Sequence, residues 1–511
     1  MFKGHPKGLY ALALANTGER FGYYTMLAIF VLYLQAKFGY NINQTGSIYS
    51  AFIAITYVMP LVGGFIADRV GYGKMVKLGV CIMFLGYLLL SIPMGIDVAK
   101  ASMFTALGLI AIGTGFFKGN LQVIIGNLYD DPKYQQFRDN GFSLFYMAIN
   151  IGSMLAPAAA IGVSNFFLKR AGYIYDVNAS ATDTAYMNAL SNSYNLGFGV
   201  ACFSLVFSMI IYLACQKWFV HADVNLKQAK EKKVTNVNVE ELTPKQTRSR
   251  MTALFLVFAV VIVFWMSFQQ SGLGLTLFAK DYTLDIASGL ARIGFDVLSL
   301  VLLAIGVYAA FSTFQSERKT AKTISLIVWI LTFGIVIVRY FGFPDIMSVR
   351  PEQFQQFNPF FIVVFTPFVM LMATESTKKG KGISAPRKIG YGMIMAAIAY
   401  LVMAIGSVDL SQRVSPNWLI STYFLLTIAE LLLSPIGISF VTKVAPPKYK
   451  GIMMGCWYGV SAIGNYLTRV ITGLWDKLPL WQVWSVLIVL CTIAALFIFS
   501  IMKKLESVDG K

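Results

Sequence analysis

The stretch "NTGERFGYYTML", Asn16 to Leu27, lies inside an otherwise apolar run covering residues 10–36. About twenty apolar residues cross a bilayer as a helix, so this run is long enough to span. It nevertheless carries Glu19 and Arg20 near its middle. A charge at bilayer depth costs at least a few kcal/mol, so such groups face a partner or a water-filled cavity. The run therefore belongs to a bundle of spans with a polar interior.

Similar apolar runs recur along the 511 residues, near 45–69, 75–95, 101–127, 140–163 and 192–215. After a polar stretch they resume at 251–280, 286–313, 321–343, 355–376, 388–407, 416–442, 451–474 and 481–503. Hydrophobic residues make up 57% of the chain and charged residues 13%, against about a quarter charged in a soluble domain. The chain reads as an all-α membrane protein of about 14 transmembrane helices. No cleavable signal is expected, because the first run passes through charges and lacks a small-residue cleavage site.

The net charge of +18 reads as topology rather than nucleic-acid binding, since Lys and Arg collect in loops on one side. "SERKTAK" (316–322), "TKKGKG" (377–382) and "TKVAPPKYKG" (442–451) share that side with both termini, which makes it cytoplasmic by the positive-inside rule. The loop 164–191 falls outside, with Lys169 and Arg170 its basic spot. Cys81, Cys202, Cys215, Cys456 and Cys491 show neither metal spacing nor a disulfide framework. His5 and His221 lie outside the spans, which excludes a buried histidine relay. No metal or cofactor is expected. No nucleotide-binding loop and no nucleophile–base pair stands out, so neither an ATP-driven pump nor an enzyme is expected.

The polar stretch 216–250 is rich in Lys and Arg and reads as a cytoplasmic, partly amphipathic linker between two helical halves. The expected division is 1–215 as a six-helix bundle, 216–250 as linker and 251–280 as the first helix of a second bundle. An extra hairpin at 281–345 follows, and 346–511 completes the second bundle. Two halves with a site between them is a transporter layout. "GGFIADRVGYGK" (Gly63–Lys74) resembles the inner-loop signature of the major facilitator superfamily, where Asp68 with Arg69 can pair across the helix ends. The bland alternative is a charged helix end.

Buried ionisable residues supply the candidate site. Arg20 and Lys118 are mid-span cations that suit a carboxylate, the guanidinium offering a bidentate fork. Their structural alternative is an internal network with Glu19. Glu430 lies mid-span in the second half, four residues before Ser434 and Pro435, and needs a cation such as a peptide's amine. Asn150 and Asn358 offer amides from opposite halves, or else helix–helix hydrogen bonds. Tyr23, Tyr24 and Tyr57 offer ring faces, and Trp265 and Trp457 bulky walls, against the alternative of plain packing. Arg292 and Asp296 stand four apart in the extra hairpin and can pair, while Arg339 can snorkel to the interface.

"GERFGYY", "FFKGN" (Phe116–Asn120), "FSLFYMAINIGSMLAP" (Phe142–Pro157), "FQQFNPFFIVVF" (Phe354–Phe365) and "AELLLSPIGISFVTKVAP" (Ala429–Pro446) appear in order. Together they resemble the proton-dependent oligopeptide transporter (POT/PTR) family of the major facilitator superfamily. The resemblance implies two six-helix bundles plus an extra two-helix hairpin, in a bacterial cytoplasmic (inner) membrane. It implies uptake of di- and tripeptides by alternating access; the chain is separately expected to function as a monomer surrounded by lipid. By resemblance Arg20 and Lys118 hold the peptide carboxylate, while Glu430, Asn150 and Asn358 hold its amino end. Tyr24 and Tyr57 fall on family positions.

Three positions depart from the family pattern. Asn16 stands where the helix-one motif has an acid linked to proton binding. Gln269, in "FWMSFQQSG" (Phe264–Gly272), stands where members usually have another acid. Leu27 replaces an arginine that commonly pairs with that second acid. Gln269 and Leu27 remove an anion and a cation together, so neither is left unpaired. Proton coupling is thereby in doubt, with Glu19 and Glu430 the remaining candidate carriers. Alternatives are a conventional symporter using one of them, a carrier of another small anion or amino acid, and a peptide-sensing receptor.

Overall fold

The computed structural model describes residues 4–180, 182–223, 242–378, 383–446 and 449–509. In chain order the first helices are α1 (Lys7–Phe38), α2 (Ile42–Val70), α3 (Tyr72–Ser91), α4 (Ile96–Leu128), α5 (Arg138–Arg170) and α6 (Thr184–Ala214). The second half holds α7 (Pro244–Phe268), α8 (Gly274–Tyr282), β1 (Ile286–Ser288), α9 (Ala291–Phe295), α10 (Val297–Gln315), α11 (Lys319–Gly342) and β2 (Ile346–Ser348). It closes with α12 (Phe357–Lys378), α13 (Ala385–Gly406), α14 (Asn417–Val444), α15 (Lys450–Leu467), α16 (Arg469–Thr472), α17 (Leu480–Ser500) and α18 (Met502–Asp509). Among the described residues, 12 helices are long and apolar enough to cross a membrane, counting α7 and α8 as one. Helices α12 and α15 occupy the two remaining expected runs.

In the first bundle α1 packs on α5 and α6, and α4 on α2 and α3. In the second, α13 packs on α14 and α17, α15 on α7, and α12 on α14. The bundles meet where α2 touches α15 and α5 touches α12. Burial follows position: 72% of the apolar window of α1 is buried, against 11% for α11. Helix α1 is wrapped by its neighbours, so Asn16, Glu19 and Arg20 are buried along with its apolar residues, whereas the apolar surface of α11 faces outward at lipid depth. This is the major facilitator fold, two six-helix bundles plus a hairpin. Crossing by crossing, the start of α1, the end of α6, the start of α7, the end of α17 and the α2–α3 and α10–α11 connections share one face, called here the near face. The α1–α2, α5–α6 and β1/β2 segments lie on the far face.

The ends of the elements have local causes. Asn41 and Gln44 exchange side-chain-to-backbone bonds at the start of α2 (2.8 and 3.1 Å), and Thr243 with Gln246 does the same before Pro244. The expected span at 251–280 is broken: Gln269–Ser271 forms a tight turn between α7 and α8. A side chain on Gly272 would collide with the Tyr49 hydroxyl, so the backbone at this break lies against the Tyr49 side chain of α2. The carbonyls at the break are satisfied by tyrosines, Tyr400 donating to Ser267 and Tyr423 to Ser271.

The extra hairpin starts later than its apolar run. Residues 286–288 pair antiparallel with 346–348, and Gly289 turns the chain at φ +57°. Arg292 then lies in α9, while Asp296 caps α10 and accepts from the Ser299 amide (2.9 Å). The two do not share a continuous helix face, so the expected Arg292–Asp296 pair is not made. Asp296 instead forks Arg339 (2.9 and 3.1 Å), and Arg292 donates to the Pro344 carbonyl (2.8 Å). The inner-loop signature also differs from expectation. Asp68 accepts from the Tyr72 hydroxyl (2.6 Å), and Arg69 lies over the Phe65 ring (4.6 Å). The contact across helix ends comes from Asp223, which accepts from the Gly73 amide (2.8 Å). Most of the expected amphipathic linker, residues 224–241, lies outside the described residues.

Candidate functional site

A cavity of about 140 Å³ lies between the bundles. Its wall includes Arg20, Tyr23, Tyr24, Leu27, Tyr57, Lys118 and Asn150 from the first half, and Trp265, Gln269, Asn358 and Glu430 from the second. Sequence reasoning singled out each of these, and the fold brings them together. Ser434 and Trp457 lie outside the wall. Ser434 is one helical turn beyond Glu430, and the buried Trp457 ring packs against Gly437 and Phe258.

The cations are held differently. Glu19, fully buried, forks Arg20 through two bonds of 2.5 and 2.6 Å, and the guanidinium lies over the Tyr23 ring (4.7 Å). Lys118 makes no ion pair among the described residues; its ammonium lies over the Tyr57 ring (4.6 Å). Tyr57 in turn tilts against Trp265 at 5.9 Å, so this stack leads from α4 through α2 to α7. Asn16 is buried, and its side-chain N–H group has no partner among the described residues. An acid at that position would leave no such orphan donor.

Glu430 stands across the cavity. The Asn358 amide donates to one carboxylate oxygen (2.9 Å) and to Thr427 (3.1 Å), while the Tyr146 hydroxyl reaches the other at 3.4 Å. These are neutral donors, and no cation pairs with Glu430 among the described residues. The Asn150 side chain bonds the Tyr146 carbonyl within α5 (2.9 Å) rather than Glu430. Lys118 and Glu430 are thus unpaired opposite charges on walls supplied by opposite bundles, with Arg20 already neutralised from behind.

Tyr146 and Tyr423 are wall residues that sequence reasoning missed. Both carried a readable signal: Tyr146 precedes Asn150 by one turn, and Tyr423 precedes Glu430 by two, on the same helix faces.

Polar contacts between the bundles also seal the far face. Arg350 donates to Glu352 (2.6 and 3.3 Å), to Asn165 (2.6 Å) and to Tyr194 (3.2 Å), and lies 3.9 Å over the Tyr175 ring. Tyr194 also donates to Glu352 at 3.1 Å. Arg350 and Glu352 are both buried, and they join the segment before α12 to α5 and α6. Lys280 to Gln35 (2.7 Å) and Arg413 to Asn178 (3.1 Å) bridge the bundles nearby. This latch was not read from sequence, because Arg350 and Glu352 lie beyond the apolar runs where buried charge is informative.

The POT family profile matches residues 74–238 and 343–484. The di-/tripeptide transporter of Lactococcus lactis subsp. lactis is 28% identical over 513 residues, covering 93% of this chain and 90% of its own. Dipeptide and tripeptide permease A of Escherichia coli K12 is 25% identical over 487 residues, covering 90% and 84%. A crystal structure of a peptide transporter POT in complex with sulfate superposes with a TM-score of 0.73 at 22% identity, covering 99% and 96% of the two chains. With the profile taking in most of both bundles, this multi-pass membrane protein belongs to the POT family.

Proposed function

We propose that this protein carries di- and tripeptides across a bacterial inner membrane by alternating access, with no chemical step of its own. The near face, which bears both termini and the basic loops, is cytoplasmic. The observation that carries the reading is the pair of unpaired opposite charges, Lys118 and Glu430, on opposite bundles around one cavity. A zwitterionic peptide spanning it places its carboxylate at Lys118, with Arg20 beside it, and its ammonium at Glu430. Relatives whose printed names describe them as di- and tripeptide permeases support the same substrate class.

The side chains then divide the work. Each end of the peptide gains a charge-assisted bond, which holds backbone ends common to all short peptides. Tyr24, Tyr57 and Trp265 supply ring faces that accept varied side chains. The cavity is smaller than the roughly 300–1,000 Å³ of drug-sized ligand sites. The Tyr146–Glu430 contact draws the bundles together across it, so an arriving amine displaces the tyrosine hydroxyl and widens the space. The far-face latch closes the outer route in this conformation, and breaking it opens the cavity outward.

The peptide itself balances both unpaired charges. With Asn16 unable to ionise and Gln269 in place of the second acid, a neutral zwitterion needs no added proton to match the cavity. We therefore propose a carrier that equilibrates or exchanges peptides rather than one driven by a proton gradient. Competition against labelled dialanine in proteoliposomes tests the site. Other dipeptides should compete, whereas N-acetyl-dialanine and dialanine amide, each lacking one terminal charge, should compete at least tenfold more weakly. Equal competition by free amino acids or by non-peptide anions would overturn the reading.

A further inference from the structure

A second cavity, of about 540 Å³, opens at the far face beside the latch. Its wall includes Lys37, Tyr40, Tyr175, Asp176, Tyr194 and Lys280. It is separate from the central cavity and shares no wall residue with it. Three features set it apart from an ordinary surface cleft. Its volume falls within the roughly 300–1,000 Å³ typical of small-molecule sites. Lys37 has 9% of its surface exposed and makes no ion pair or hydrogen bond among the described residues. Two of the tyrosines in its wall, Tyr175 and Tyr194, are those that hold Arg350.

A buried ammonium without a partner pays a desolvation cost that a bound anion repays. The bland role for Lys37, a cation complementing the C-terminal end of α1, is equally served by an exposed lysine and does not require burial against a cavity. Lys280 adds a second ammonium, tied to Gln35 at 2.7 Å. Asp176 supplies the one carboxylate among these groups, partly engaged by the Asn178 amide (2.8 Å). Ammonium groups, a carboxylate and phenol rings in one small-molecule-sized cavity match the ends and side chains of a short peptide.

Resting on the reading given above, we infer that this far-face cavity is an outer binding site for short zwitterionic peptides, adjoining the latch. Lys37 takes the carboxylate and Asp176 the ammonium. The ligand lies against Tyr175 and Tyr194, whose rings and hydroxyl otherwise fix Arg350. Occupancy competes with that hold, so a peptide arriving from outside loosens the latch in front of it. The site acts on entry from the far face.

Equilibrium binding of labelled dialanine to the purified full-length protein tests this, with dialanine amide as the control lacking a carboxylate. Wild type should bind two equivalents. Lys118→Gln should keep only the outer one and Lys37→Gln only the central one, with Lys37→Arg restoring it. In proteoliposomes Lys37→Gln should raise half-saturation for uptake from the far face on the order of tenfold, the loss of one charge-assisted bond. Entry from the near face should not change, which a general folding defect would not reproduce. One equivalent in wild type, unaffected by Lys37→Gln and abolished by Lys118→Gln, overturns the outer site and leaves the central reading standing. One equivalent lost in Lys37→Gln but kept in Lys118→Gln supports the outer site and overturns the central one. No binding to wild type overturns both.

Discussion

At the carboxylate of Glu430, Asn358 and Tyr146 supply two neutral donors where a cation is wanted. On the proposed reading the missing partner is the substrate's ammonium. Glu430→Gln should therefore raise half-saturation for dipeptides by about tenfold or more, the value of a charge-assisted bond. It should leave the already weak competition by N-acetyl-dialanine unchanged; equal losses for both would place Glu430 outside the amine contact. Asn16→Glu introduces an acid one helical turn before Arg20, and should make uptake respond to an imposed proton gradient. Charged side chains were the legible part of this site, because burial of charge in lipid has few explanations. Tyr146 and Tyr423 were harder to read, since tyrosines in an apolar run serve packing just as well. Trp457 shows the converse: its bulk fills space against Gly437, and nothing in its sequence position separated that from a pocket wall.

Among the elements, the segment joining β2 to α12 carries the latch. Glu352→Gln leaves the buried Arg350 guanidinium without its counter-ion, and breaking a buried pair in this way costs about 3–5 kcal/mol. Hydrogen exchange in residues 346–356 should accelerate, and the far-face-open conformation should gain population. Unchanged exchange there would show that the pair does not hold the bundles together. In contrast, Asp296→Ala removes a partly exposed ion pair between α10 and α11 together with the cap of α10, worth on the order of 1–2 kcal/mol. Dipeptide uptake should be unaffected, because the hairpin packs on α12 from outside the cavity. Helix positions followed from apolar runs, since spanning length is set by the bilayer. Their interruptions did not: the break at Gln269–Ser271 depends on close approach of α2 to Gly272, a tertiary contact that no local periodicity encodes. The short β1/β2 pairing likewise joins residues about sixty apart in the chain, and it displaced the expected start of α10.

Across the whole molecule, two bundles meet along α2–α15 and α5–α12, with the site between them and a polar seal on one side. Alternating access requires the seal to open while the opposite side closes, and in the proposed cycle a peptide bridging Lys118 and Glu430 links those two movements. On the proposed reading, with Asn16 and Gln269 unable to ionise, the peptide is the species that balances the cavity. Labelled dialanine uptake into proteoliposomes, with and without an imposed inside-alkaline, inside-negative gradient, tests this most directly. Uptake should reach the same equilibrium level under both conditions and speed up when the vesicles are preloaded with unlabelled dipeptide. Accumulation above equilibrium under the gradient would contradict it, and would mean that Glu19 or Glu430 carries a proton.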